Sequence, residues 1–165
     1  MLMKKPLLDS ACVQKFEKAC KYELLHAQTY RHLASQMQGL GYFGAQKFFL
    51  AEIPEEQSHF EKHIDFLNDM GVTISIPQVP GMTEKVKSLK QALDIAYETE
   101  LDLLEYYREM AKEEGQEYAE ILQHLMFYVE VQRKTVGEYG DLLTRLELVS
   151  DDSCGILLIE QEMGK

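Results

Sequence analysis

Glu56-Gln57-Ser58-His59 is the stretch of this chain best equipped for chemistry. On a helix, residues three apart share a face, so the Glu56 carboxylate and the His59 imidazole aim at one place. A carboxylate and an imidazole at this spacing form half of a metal site in carboxylate-rich helical bundles. Four-residue patterns with two free positions arise often by chance, so the pair gains weight only from what the chain sets beside it.

The elements that must position the pair are long helices. The first is expected over about 9–38, with a stripe at Val13, Phe16, Cys20, Glu23, Ala27, Tyr30, Ala34 and Met37, and a stop at Gly39-Leu40-Gly41. A second, about 43–70, carries Phe49, Glu52, Glu56, His59, Phe60, His63, Leu67 and Met70. Pro54 lies inside it and removes a backbone hydrogen bond, so a kink is expected just before Glu56. Residues 72–82 read as a connector, long for a bundle loop and suited to joining two neighbouring parallel helices. A third helix, about 83–113 and capped by Thr83 or Ser88, carries Leu93, Tyr97, Glu100, Leu104, Tyr107 and Ala111. A fourth, about 116–146, carries Leu122, Leu125, Val129, Gln132, Val136, Tyr139 and Leu143, and the short apolar segment Gly155–Met163 follows. The whole of 1–165 reads as one all-α domain.

Each long helix thus places a polar residue on its apolar stripe near mid-length: Glu23, Glu56 with His59, Glu100, and Gln132. A lone buried carboxylate takes a proton or needs a cation. Three carboxylates, one imidazole and one amide cannot neutralise one another, whereas two divalent metal ions would do so. Were the stripes rotated, the same residues would be surface polar. Oxygen and imidazole donors without a thiolate cluster favour iron or manganese over structural zinc, and anionic oxygens favour Fe(III) over Fe(II). Tyr30, two turns beyond Glu23, could hydrogen-bond a ligand carboxylate, donate an electron, or serve as a plain core tyrosine.

Composition is that of an ordinary soluble chain, with 45% hydrophobic and 27% charged residues. The net charge of −11 argues against nucleic acid and in favour of attracting cations. No apolar run approaches a membrane span, and Met1-Leu2-Met3-Lys4-Lys5-Pro6 lacks the apolar core of a signal peptide, so a cytoplasmic protein is expected. Cys12, Cys20 and Cys154 show no Cys-x-x-Cys and fit a reducing compartment.

Over nearly its whole length the chain resembles the ferritins, in particular the bacterial non-haem type. Phe16-Glu17-Lys18-Ala19-Cys20-Lys21-Tyr22-Glu23, with Tyr30 seven residues on, is similar to their first helix. Glu55-Glu56-Gln57-Ser58-His59 is similar to their second, and the 33-residue step from Glu23 to Glu56 matches the bacterial spacing. Phe127-Tyr128-Val129-Glu130-Val131-Gln132 resembles the fourth, and Cys154–Gly164 the short fifth helix. The resemblance implies a ferritin-like four-helix bundle with a long crossover and a short fifth helix. It implies a homo-oligomeric cage of twenty-four subunits that oxidises Fe(II) with oxygen or peroxide and stores Fe(III) as mineral. Carried over, Glu23, Glu56 and His59 would hold one iron. Glu56 would bridge to a second held by Glu100, with Gln132 beside it.

The chain also departs from that pattern. Glu98 rivals Glu100 but falls off the apolar stripe, and Glu55 and Glu61 are either cavity-facing or ordinary surface acids. Glu52 and His63 lie one turn to either side of the motif, as further polar support or as a satisfied polar pair. Glu23-Leu24-Leu25-His26 is a second Glu-x-x-His, with His26 expected on the flank rather than as a ligand. Val131, Lys134 and Thr135 replace the glutamates of a third iron site, and Leu122 and Leu125 replace the acidic pair of an iron channel. Gln57 stands where haem-binding relatives have methionine, so no haem is expected. A rubrerythrin-like diiron peroxidase is the main alternative, and such enzymes usually carry a second Glu-x-x-His. A shell subunit without fast iron oxidation is the other.

Overall fold

The computed structural model describes residues 5–165; Met1 to Lys4, the start of the stretch read above for a signal peptide, lie outside the described residues. Five helices follow in order: α1 (Ser10–Leu40), α2 (Phe43–Asp69), α3 (Leu89–Glu114), α4 (Ala119–Val149) and α5 (Ser153–Met163). No strand occurs among the described residues. The four long helices form a bundle, α1 packing along α2 and α3 along α4.

Local chemistry explains most boundaries. Asp9 caps α1, its side chain accepting from the Cys12 amide at 2.8 Å, and α1 ends at Gly41, whose φ of 85° is the left-handed stop that glycine adopts without strain. α3 starts at Leu89, later than the sequence pattern suggests. Ser88 is the cap, accepting from the Gln91 amide at 3.1 Å, while the Val86 amide is committed to the Gln36 side chain instead of a helix. α4 starts at Ala119 rather than about 116, because Gly115, Glu117 and Tyr118 spend their amides on a turn back to Ala111 and Glu114. α2 runs through Pro54 as one helix.

The connector from α2 to α3 spans the bundle. At one end the Leu7 amide bonds the Met70 carbonyl, near the start of α1. At the other, the Glu84 carbonyl meets His32 Nε2 at 2.6 Å, near the end of α1. This is the long crossover expected from its length.

The fifth helix is tied to α2 by an acid. α2 begins at Tyr42 with no side-chain cap of its own, and Glu160 of α5 supplies one, its carboxylate accepting from the Gly44 and Ala45 amides at 2.7 and 3.3 Å. The approach needs Gly44: a Cβ there would meet the Glu160 carbonyl oxygen at 1.9 Å.

The core is two apolar clusters. One holds Phe16, Ala19, Leu103, Tyr107, Leu125 and Tyr128; the other holds Tyr30, Leu33, Phe49, Leu93, Tyr139 and Leu142. Along α1 the first cluster stops at Ala19 and the second starts at Ala27, which leaves a polar layer at Glu23 and His26 between them. On α4 the buried line is Ile121, Leu125, Tyr128, Gln132, Tyr139, Leu142 and Leu146. Leu122, expected on that line, is 39% exposed, because the line is rotated by part of a turn from the pattern read in sequence.

Candidate metal centre

The polar layer collects Glu23 and His26 from α1, Glu56 and His59 from α2, Glu100 from α3 and Gln132 from α4, each at most 5% exposed. Glu98, the rival to Glu100, is exposed. So the structure brings together all five residues expected as ligands or near-ligands, together with Tyr30 and one more, His26.

Two triads share Glu56. In the first, His59 Nδ1 lies 3.5 Å from Glu23 Oε2 and 3.8 Å from Glu56 Oε2. In the second, His26 Nδ1 lies 3.8 Å from Glu56 Oε2 and 3.5 Å from Glu100 Oε1. Each triad converges closely enough to hold a metal ion. These separations are long for hydrogen bonds, but two ligand bonds of about 2.0–2.2 Å span them readily. Among the described residues, five buried side-chain polar atoms have no hydrogen-bond partner, and four of them are Glu23 Oε2, His26 Nδ1, Glu56 Oε2 and His59 Nδ1. Orphaned buried polar atoms are costly and rare. Four aimed at two points fit a pair of cations.

The outer carboxylates are held from behind. The Tyr107 hydroxyl donates to Glu23 Oε1. Tyr30 donates to Glu100 Oε1, and the Gln132 amide donates to Glu100 Oε2. Tyr30 is therefore a partner of Glu100 and not only a core ring. Behind Tyr107, His63 Nε2 sits 2.8 Å from its hydroxyl, and His63 Nδ1 sits 3.0 Å from His124 Nε2. His63 stacks on Tyr128 with ring centroids 4.1 Å apart. It is thus a satisfied member of a hydrogen-bonded line, and its partners are Tyr107 and His124 rather than Glu52.

Charge is unevenly distributed across the layer. Burial, with the nearby negative charges of Glu100 and Glu23, holds the Glu56 carboxyl well above its ordinary range. Burial also opposes ionisation of Glu100, but His26, Tyr30 and Gln132 outweigh it and keep that carboxyl below its ordinary range. Burial opposes protonation of His59, and the Glu23 carboxylate more than offsets it, so His59 is raised. Glu52, half-buried, is pushed up to about 7 by burial and by Glu100, Glu138 and Glu55. Burial lowers His63 strongly, aided by His124 and His59, and lowers His124 to about 4, aided by Lys62.

His26, Tyr107 and His124 have parts in the layer that the sequence reading does not give them, whereas His63 is read there as polar support or a satisfied polar residue. The spacing Glu23-x-x-His26 was the available signal. A single 100°-wide stripe leaves His26 on its edge. α1, however, contacts both α2 and α3, so its buried arc is wider than one stripe and includes that edge.

Comparison with known proteins gives a consistent picture. A family model described as a ferritin-like domain matches residues 13–149. The chain is 24% identical over 160 residues to a probable bacterial non-heme ferritin-like protein of Haemophilus influenzae, covering 96% of both chains. It is 20% identical over 160 residues to a bacterial non-heme ferritin of Staphylococcus haemolyticus, again covering 96% of both. Among solved structures it is similar to an open-pore ferritin of the archaeon Archaeoglobus fulgidus, with a TM-score of 0.90, 22% identity, and coverage of 95% of this chain and 96% of that one.

Proposed function

The chain belongs to the ferritin family, and on that premise we propose that it stores iron, oxidising Fe(II) to Fe(III) at the buried layer and holding the product as mineral inside a homo-oligomeric cage, of twenty-four subunits by family likeness. The observation that carries the reading is the set of four orphaned buried atoms that aim at two points. Glu23, Glu56 and His59 would hold one Fe(II), and Glu56 and Glu100 the other, with Gln132 beside it. Each Fe(II) gives up one electron. Hydrogen peroxide accepts two, its O–O bond breaks, and two protons complete two waters; dioxygen accepts two with two protons to give peroxide.

The chain's own residues prepare that exchange. Tyr107 and Tyr30 fix the outer carboxylates, as partners of ligands generally do. Glu56 releases its proton when a cation arrives, since the cation supplies the charge that burial denies it. The two apolar clusters close the layer off along the bundle axis.

The test is aerobic Fe(II) loading of the metal-free protein, followed by size exclusion with iron and protein detected together and Glu56→Ala in parallel. Storage requires ferric iron to co-elute with a cage-sized particle and to form much more slowly in the variant. Equal loading by both would remove the buried layer from the reaction and favour a shell subunit. A second reading, a diiron redox enzyme that keeps its metal pair, draws support from the buried second Glu-x-x-His, Glu23 to His26. It requires a small oligomer that retains two irons per chain and forms no mineral.

A further inference from the structure

We infer that His26 is a ligand of the second metal position, so that each ion of the pair in this chain is held by its own imidazole. The inference rests on the two-ion reading of the layer and adds a donor that the four-helix site otherwise lacks at that position.

His26 is 2% exposed, and its Nδ1 has no hydrogen-bond partner. Its nearest aromatic neighbour, Tyr22, stands edge-on at 6.5 Å between ring centroids and offers that nitrogen nothing. The atoms that do face Nδ1 are the carboxylate oxygens of Glu56 and Glu100, at 3.8 and 3.5 Å. This arrangement repeats that of His59, whose orphaned Nδ1 faces Glu23 and Glu56 at 3.5 and 3.8 Å. One turn of α1 thereby serves both positions, Glu23 turned to one and His26 to the other.

The donor chemistry gives the consequence. Three carboxylates against two divalent cations leave one positive charge, and a neutral imidazole strengthens binding without changing that balance. Imidazole also suits iron, cobalt and zinc better than the magnesium or calcium that an all-oxygen position accepts. The second position is therefore selective for transition metals over magnesium and calcium.

The experiment is an anaerobic Co(II) titration of the metal-free protein, read by bound stoichiometry and by the paramagnetically shifted ring N–H proton signals of ligating imidazoles. Wild type should take two Co(II) per chain and show two such signals. His26→Ala should keep one ion with one signal, the second ion weakened at least about tenfold. His59→Ala should give the mirror result. Two bound ions with a single ring N–H signal in wild type would overturn the inference, and so would His26→Ala holding both ions at wild-type affinity. The wild-type signal count decides the matter even if the variant does not fold. If wild type takes up no pair, or Glu56→Ala binds as wild type does, the two-ion reading itself fails.

Discussion

Glu23 and Glu100 occupy equivalent places in the two triads, both fully buried and each tied to a tyrosine, yet their surroundings differ. Glu23 gives one oxygen to Tyr107 and leaves the other without a partner. Glu100 has both oxygens engaged, by Tyr30 and Gln132, and His26 beside them. The carboxyl that gathers donors is held ionised, and Glu56 between the two bears the proton cost instead. A buried acid is thus not one kind of group. Donors supplied by neighbouring helices decide whether it holds a charge before any cation arrives.

The largest effect should come from the shared residue. Glu56→Ala removes a ligand from both triads, so both ions should be lost and the initial rate of Fe(II) oxidation, followed by ferric absorbance, should fall by more than about 100-fold, beyond the 10–100-fold typical of residues that merely support a ligand. Loss of only one ion would show that the triads are independent.

The proton on Glu56 gives the next effect. Its raised carboxyl must lose that proton for metal to bind, so apparent affinity should fall as pH is lowered below the raised value, by about tenfold per pH unit. Calorimetry in buffers of different ionisation enthalpy should register proton release on binding, from Glu56 and from the raised His59. No release would place the charge elsewhere.

The two tyrosines separate the halves more finely. Tyr107→Phe should weaken the first ion and Tyr30→Phe the second, each by about tenfold and each leaving the other ion little changed. Equal weakening of both ions by either variant would mean that the layer responds as one unit.

A separate effect concerns stability away from the metals. The His124 side chain is lowered to about 4 in the folded chain against an ordinary value of 6.5, so its contribution is present above pH 6.5 and is lost as pH falls towards 4. His124→Phe should be less stable at pH 7, because His63 Nδ1 loses its partner. It should then lose less stability than wild type between pH 6.5 and 4, by on the order of 2 kcal/mol in denaturant unfolding of the metal-free protein. An unchanged acid profile would show that His124 is solvated enough to titrate normally.

Helices, their stripes and the polar interruptions were legible in the chain because period 3.6 leaves a mark in sequence. Glu23, Glu56, His59, Glu100 and Gln132 fell on buried lines for that reason. The length of the α2–α3 connector announced a crossover, since a chain that must return along a bundle needs that many residues. Helical periodicity gives the direction of a side chain about its own axis and nothing more. It cannot say which neighbour lies there or how wide the buried arc is. The tertiary structure alone set His26 between α2 and α3, joined Tyr107 to His63 and His124, and brought Glu160 of α5 to the open amides of α2. Each of these links residues from different helices, and their distance depends on how those helices pack.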